Sequence, residues 1–93
     1  MTQYKMDTES NTAKQVPGHT LDALRRYVED RIPTGGFLRA VLSNDLKGAF
    51  AQADGTNRAA LYEIVMCCTW DIPGIAWGSR EAYLQWLKGE EQS

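Results

Sequence analysis

The stretch IPTGGFLRAVLSNDL, residues 32–46, contains three signals that divide the chain into helices. Pro33 ends the helix before it, because a proline disfavours helical geometry in the preceding residue. Gly35 and Gly36 open the next helix, and its apolar run stops at residues 43–45, Ser-Asn-Asp, whose side chains are well suited to cap a further helix. The stretch therefore predicts three consecutive helices joined by short turns.

Outward from this stretch, apolar residues recur at spacings of three and four, as on one face of a helix. Upstream, Thr20 is the expected N-cap of the first helix. The apolar positions of that helix are Leu21, Leu24, Val28 and Ile32. The helix that follows residues 43–45 carries Leu46, Ala49, Phe50 and Ala53.

Two further helices complete the predicted fold. Thr56 or Asn57 caps the fourth helix, in which the apolar stripe is Leu61, Ile64, Val65 and Cys68. Ser79 caps the last helix, and Gly89 ends it. We expect an all-α fold, a compact bundle of about five short helices with a flexible N-terminal arm.

The domain boundaries follow from composition. Residues 1–18 are polar, lack periodicity and end in Pro-Gly, which predicts a disordered N-terminal arm. Residues 19–89 are expected to form a single helical domain, and residues 90–93 a flexible C-terminus. A chain of 93 residues supports one domain at most.

The charge balance limits the classes of partner. The formal net charge of -2 argues against a nucleic-acid or anionic-membrane binder, which would carry a basic surplus. No apolar run approaches the roughly 18 residues that span a bilayer, and the polar N-terminus lacks a signal-peptide segment. We therefore expect a cytoplasmic protein with neither nucleic acid nor membrane as its partner.

Few residues suggest catalysis or metal binding. Cys67 and Cys68 are adjacent, point about 100° apart on a helix and are badly placed to bond to each other. No second cysteine pair or histidine stands at ligand spacing, so we expect reduced thiols and no metal or cofactor. His19 has no acid or nucleophile at catalytic spacing, and the chain is not expected to be an enzyme.

The segment Thr34-Gly35-Gly36 is the strongest candidate for a binding site. A helix N-terminus presents unpaired N–H groups, and glycines let an anion approach them closely. Arg39 follows one turn into the helix as a counter-charge. The segment lacks the lysine and spacing of a phosphate-binding P-loop, and a tight interhelical turn is the structural alternative.

Two polar residues outside that segment are further ligand candidates. Asn44 could contact the polar edge of a ligand, or residues 43–45 could only cap a helix. Arg58, which follows the potential cap Asn57, could bind a phosphate or lie on the surface without a ligand. Trp70 and Trp77 bracket a rigid turn and could anchor a protein partner, or could belong to the core.

A helix-turn-helix regulator that binds DNA is a weaker alternative. Its recognition helix would be DLKGAFAQA, residues 45–53, in which Lys47 is the only basic residue. Such a helix offers little phosphate affinity or base recognition.

Residues 20–87 resemble an uncharacterised family of small helical proteins encoded in bacteriophages and prophages. The resemblance is carried by the runs TLDALRRYVEDRIPTGGFLRAVLSNDLKGAFAQAD, NRAALYEIV and WGSREAYLQWL, and its most specific part is IPTGGFLRAVLSNDL. The resemblance implies no catalytic activity, so it assigns no active-site residue in this sequence. It implies a viral accessory protein, in the cytoplasm of the host cell, of a kind that commonly binds and blocks a host component.

Two functions are consistent with these features. In the first, the protein sequesters a small anionic, nucleotide-like immune signal at Thr34-Gly35-Gly36, with Arg39 and Arg58 on phosphates. A domain of this size would complete the pocket across a homo-oligomer. In the second, it is a protein–protein inhibitor or adaptor that blocks a host defence or regulatory protein through an exposed apolar surface.

Overall fold

The computed structural model of the protein describes residues 4–89, and all the regular secondary structure of this part of the chain is helical. The helices are α1 Asn11–Lys14, α2 Gly18–Asp30, α3 Gly36–Leu42, α4 Leu46–Gln52, α5 Gly55–Ala59, α6 Leu61–Asp71 and α7 Arg80–Lys88. A single 3-10 turn, Gly74–Ala76, lies between α6 and α7, and no strand occurs in the described range. The predicted all-α class is confirmed. The predicted C-terminal segment 90–93 lies outside the described residues, as do residues 1–3.

The described part of the predicted N-terminal arm, residues 4–18, is attached to the other helices: α1 packs onto α6, and the Met6 N–H donates to the carboxylate of Glu29 in α2. Met6, Ala13 and Val16 are buried. The hydroxyl groups of Ser10 and Thr12 both donate to the carboxylate of Asp71. A few buried apolar residues are therefore enough to attach a segment whose sequence is mainly polar. The helical domain thus includes α1, which lies before its predicted start at residue 19.

The first predicted helix begins earlier and ends sooner than the sequence indicates. Gly18 opens α2, so Thr20 is an interior residue and not the N-cap; it is buried, with its hydroxyl group hydrogen-bonded to Oδ1 of Asn57. At the other end, Arg31 takes a left-handed conformation with φ 59°. This turn leaves Ile32, predicted on the apolar face, 43% exposed.

The turn between α3 and α4 confirms the break predicted at residues 43–45. Asn44 has φ 62°, its N–H donates to the Val41 carbonyl at 3.1 Å, and the Asp45 N–H donates to the Ala40 carbonyl at 2.8 Å. These two bonds form the Schellman motif that ends many helices. The carboxylate of Asp45 then caps α4 by accepting from the Gly48 N–H at 3.0 Å. One residue pair thus closes α3 and starts α4.

The predicted fourth helix is divided at Ala60 into α5 and α6. Asp54, rather than Thr56 or Asn57, caps α5, because its carboxylate accepts from the Asn57 N–H at 2.7 Å. The inward side of α6 consists of Ile64, Cys67 and Cys68, all fully buried.

A cluster of aromatic residues joins α2 to α7 at the centre of the fold. Tyr27 is fully buried, its ring stacks on Tyr83 at a centroid distance of 5.2 Å, and its hydroxyl group donates to the Ala76 carbonyl at 2.7 Å. The indole N–H of Trp86 donates to the Tyr27 carbonyl at 3.0 Å. The Ser79 cap predicted for α7 is confirmed, since its hydroxyl accepts from the Ala82 N–H at 3.0 Å. None of the helices in residues 4–89 has the length and apolar character needed to cross a membrane.

Candidate functional site

An open depression of about 460 Å³ lies between α3, α4 and the first turns of α7, and we call it the arginine pocket. The residues that line it are Gly36, Arg39, Ala40, Ser43, Asp45, Gly48, Gln52, Arg80, Tyr83 and Leu84. Its volume lies within the range of roughly 300–1,000 Å³ that is usual for small-molecule sites.

Two long-range contacts hold the start of α7 beside α3. The Gly78 N–H donates to the Leu42 carbonyl at 2.8 Å, which attaches the segment before α7 to the end of α3. The Thr34 N–H donates to the hydroxyl oxygen of Tyr83 at 3.1 Å, which attaches the segment before α3 to the second turn of α7. These bonds bring the first turn of α7 to the rim of α3.

The arginine pocket carries a positive charge that no carboxylate of residues 4–89 pairs with. Arg39 and Arg80 are both exposed, and no carboxylate in residues 4–89 forms an ion pair with either. Asp45 also lines the pocket, but one of its oxygens is engaged in capping α4. With two arginines and one aspartate the lining has a net charge of +1, which favours an anionic ligand.

Of the six predicted ligand residues, the structure places Gly36 and Arg39 in the arginine pocket. Gly35 lines, with Gly36, a neighbouring depression of about 300 Å³. Thr34 is instead engaged with Tyr83, since its hydroxyl group lies 3.2 Å from the tyrosine hydroxyl. This hydrogen bond positions the start of α3.

The remaining two predicted ligand residues border neither depression. Asn44 occupies the left-handed position of the turn between α3 and α4. Arg58 donates to the Ala53 carbonyl at 3.3 Å, a bond that joins α5 to the end of α4. The structure thus gives both residues a role within the fold.

The two glycines that open α3 differ in what their surroundings require. A side chain at Gly36 would place its first carbon 2.9 Å from Oε1 of Gln52, whereas nothing lies within 4 Å of the corresponding position at Gly35. Gly36 therefore leaves room for Gln52 at the edge of the arginine pocket. Because α3 has only seven residues and no side-chain N-cap, the charge of the site comes mainly from the two arginines.

Sequence reasoning missed Arg80 and Gln52. A signal for Arg80 was available: it is the first residue of α7, directly after the cap Ser79, where the helix dipole disfavours a positive side chain. A cation in that position suggests that an external anion is its partner. Gln52 gave no comparable signal, because its role depends on the distance to Gly36.

The two tryptophans proposed as partner anchors lie in different environments. Trp70, at the end of α6, is 70% exposed. Trp77 is partly buried and packs against the core. Only Trp70 is thus available for a partner.

The two cysteines are buried and have low reactivity. Burial raises the pKa of Cys67 to about 12, and the negative charge of Asp71 adds to the effect. Burial also raises the pKa of Cys68 far above its ordinary value. Both remain protonated near neutral pH and are poor nucleophiles. Within residues 4–89, no group of three histidine, cysteine, aspartate or glutamate side chains is close enough to hold a metal ion.

The support for the arginine pocket comes from its own geometry: a concave surface, two arginines that form no ion pair within residues 4–89, and polar groups on its rim. No family model, no curated protein and no solved structure matches this chain.

Proposed function

We propose that this protein is a non-enzymatic binding protein that sequesters a small anionic, nucleotide-like signal in the arginine pocket. The observation that carries the proposal is the presence of Arg39 and Arg80 on one depression, without an ion-pair partner in residues 4–89. Guanidinium groups bind phosphates through paired N–H donors. A ligand with two phosphates, or with one phosphate between the arginines, would neutralise both charges.

The rest of the lining is compatible with a nucleotide. Leu84 supplies apolar surface, and Ser43 and Gln52 supply hydrogen-bonding groups for a base or a sugar. The pocket is open to solvent on one side. We propose that the protein is a homo-oligomer, as a symmetric assembly allows a small domain to enclose more of a ligand than one copy can.

The biological role that we propose is that of a bacteriophage-encoded anti-defence protein in the cytoplasm of the host cell. Its support is the resemblance of residues 20–87 to small phage and prophage proteins. A binding protein without turnover would act as a sponge: it lowers the free concentration of an immune signal and leaves the signal chemically intact.

A thermal-unfolding screen with cyclic and linear adenine nucleotides tests this proposal. A true ligand stabilises the folded protein by roughly 2.7 kcal/mol at a hundred times its dissociation constant. Arg39→Ala and Arg80→Ala should each abolish most of that stabilisation. Arg58→Ala is the matched control, because Arg58 is an exposed arginine outside the pocket, and it should bind as the wild type does.

Recovery of the ligand completes the screen. Nucleotide released by denaturing the complex should have its original mass, as sequestration requires. A screen in which no nucleotide stabilises the protein would contradict the proposal, and so would a loss of stabilisation that is equal in Arg39→Ala and Arg58→Ala.

A second candidate function is a protein–protein inhibitor or adaptor that blocks a host defence or regulatory protein. The observation that favours it is the exposed pair Leu46 and Phe50 on α4, which are 65% and 48% exposed and stand one helical turn apart. Exposed apolar pairs of this kind commonly anchor a protein partner. The expected result is a stable complex with one host protein that Phe50→Ala disrupts and Arg39→Ala does not. Equal binding by Phe50→Ala and the wild type would argue against this function.

A further inference from the structure

Helix α6 is apolar on two opposite sides, and only one of them is covered. Its inward side, formed by Ile64, Cys67 and Cys68, is fully buried. The outward side, which we call the α6 face, consists of Tyr62, Val65, Met66, Thr69 and Trp70. Tyr62 is 71% exposed, Trp70 is 70% exposed and Val65 is 37% exposed. A helix with apolar residues all round is normally buried on all sides.

The α6 face is nearly symmetric about its middle. Tyr62, Met66 and Trp70 follow one another at intervals of four residues and so lie in one row along the helix. At a rise of 1.5 Å per residue, the two aromatic residues are roughly 12 Å apart, with Met66 midway. An interface between identical copies about a twofold axis must be self-complementary, and this arrangement meets that requirement.

A groove lies beside one end of the α6 face. It has a volume of about 320 Å³ and is lined by Asn11, Thr12, Gln15, Tyr62, Glu63 and Met66. We call it the α1–α6 groove. The side chain of Glu63 forms no hydrogen bond or ion pair within residues 4–89, so its carboxylate is a free acceptor on the rim of this groove. The protruding Trp70 is at the opposite end of the same face.

We propose that the α6 face joins two copies of this chain about a twofold axis at Met66, with Trp70 of each copy in the α1–α6 groove of the other. The two α6 helices run antiparallel, so Tyr62 of one copy meets Trp70 of the other. The indole N–H of Trp70 is then placed to donate to the carboxylate of Glu63 across the interface. One contact, repeated by symmetry, buries both protruding side chains.

The two exposed aromatic residues supply a large part of the area that such a dimer needs. An aromatic side chain buries about 150–250 Å². The exposures of Tyr62 and Trp70 therefore leave roughly 100–175 Å² on each, or roughly 400–700 Å² over both copies. Val65, Met66, Thr69 and the rim of the groove bring the total towards the ~1,000 Å² that a specific interface needs.

The charge of the α6 face also permits this pairing. The face itself carries no charged residue, so two copies meet there without repulsion between like charges. This inference concerns self-association alone and does not depend on nucleotide binding. The arginine pocket is formed by other elements, α3, α4 and α7, so self-association and nucleotide binding can be measured and can fail separately.

Sedimentation of the ligand-free protein over a range of concentrations tests the proposal. The wild type should form a dimer, and Trp70→Ala should weaken the association by at least about tenfold, because a tryptophan that becomes buried in a pocket of the partner commonly contributes much of the binding energy. Leu46→Ala is the matched control. It removes a side chain that is 65% exposed on α4, outside the α6 face, and it should leave the dimer unchanged.

Charged variants at Met66 test the position of the twofold axis. Met66→Asp and Met66→Lys should each be monomeric, since the axis brings two like charges together. An equal mixture of the two variants should recover a dimer, because opposite charges then meet. Circular dichroism establishes that each variant is folded, and if either is not, the comparison of Trp70→Ala with Leu46→Ala decides alone.

Several results would overturn the proposal. One is a wild type that remains monomeric at all concentrations, and another is a dimer that Trp70→Ala leaves intact. A third is loss of the dimer in Leu46→Ala to the same extent as in Trp70→Ala. A fourth is a mixture of folded Met66 variants that stays monomeric. Binding of a different protein to the α6 face, with no self-association, would also overturn it.

Discussion

The guanidinium carbon of Arg31 lies 3.7 Å from the centroid of the Trp86 ring, and Nη1 of Arg31 donates to the Trp86 carbonyl at 2.7 Å. Arg31 is also the left-handed residue that follows α2, with φ 59°. A single residue therefore terminates α2 and attaches its end to α7. The Trp86 indole donates in turn to the Tyr27 carbonyl. A side chain from each side therefore donates a hydrogen bond to a main-chain carbonyl of the other helix.

Arg31→Ala should lower the free energy of unfolding by about 1–3 kcal/mol, through loss of the cation–π contact and the charged hydrogen bond. Arg31→Gly removes the same contacts but adopts the positive φ without strain, so it should cost less than Arg31→Ala. Urea unfolding of the three proteins measures the difference. If Arg31→Ala unfolds as the wild type does, the contact with Trp86 contributes nothing to stability.

Asp71→Ala should release α1 from α6, because the Asp71 carboxylate accepts from both Ser10 and Thr12. The expected signature is faster hydrogen exchange at the Ala13 amide, with a loss of about 1–3 kcal/mol in the free energy of unfolding. Asp7→Ala is a control in the N-terminal segment, since Asp7 is exposed and its carboxylate accepts, within residues 4–89, only from the nearby Glu9 N–H. Unchanged protection of Ala13 in Asp71→Ala would contradict the prediction.

Asn44→Gly should preserve or slightly increase stability, whereas Asn44→Ala should cost about 1 kcal/mol, because an alanine at φ 62° is strained. Thermal unfolding of both variants checks this order. The glycine variant also separates the two interpretations of Asn44. If it folds normally but no longer binds a nucleotide that stabilises the wild type, Asn44 is a ligand residue and the arginine pocket as defined is incomplete.

Gly36→Ala should be coupled energetically to Gln52, since the added methyl group would lie 2.9 Å from the glutamine Oε1. The destabilisation by Gly36→Ala should shrink in a Gln52→Ala background, with a coupling of about 0.5–1 kcal/mol in a double-mutant cycle. Gly35→Ala has no neighbour within 4 Å and should show no coupling to Gln52. Equal effects of Gly36→Ala in both backgrounds would exclude a clash with this side chain.

Stability should decrease at alkaline pH because burial raises the pKa of Cys67 from 9.0 to about 12. In the unfolded chain the thiol loses its proton above its ordinary pKa, while the folded protein keeps it. The stabilisation is thus complete below pH 9 and is lost as the pH rises towards 12. Cys67→Ala should flatten the decline in the free energy of unfolding, measured in urea at about pH 7.5 and about pH 10.5.

Part of that decline should remain in Cys67→Ala, because burial also raises the pKa of Cys68 and of Tyr27. The variant Cys67→Ala/Cys68→Ala should flatten the curve further. If the double variant shows the same pH dependence as the wild type, the buried thiols are not its source.

Several helix ends from α2 to α7 were predictable from the sequence because their signals act within a few residues. Pro33 and Gly35 separate α2 from α3, Asp45 caps α4, and Ser79 and Gly89 bound α7 as predicted. Each of these ends is fixed by a bond or a backbone angle that the local sequence specifies. The all-α class follows from such signals.

Burial and the composition of the pocket were decided by the tertiary structure. Thr20 looks like a cap in sequence and is buried against Asn57, and the polar segment around Ser10 is held by Asp71. The arginine pocket joins Arg39 to Arg80. No local pattern relates residues so distant in the chain.

The sequence predicts helix ends but not the pocket because the interactions that fix them act over different distances along the chain. A helix cap or a proline restricts the backbone within one turn, so the sequence alone places the ends of helices. The pocket, in contrast, exists because the Gly78 N–H reaches the Leu42 carbonyl and Thr34 reaches Tyr83. Those contacts form only when the helices pack, and packing alone leaves Trp70 exposed while it places Trp77 against the core.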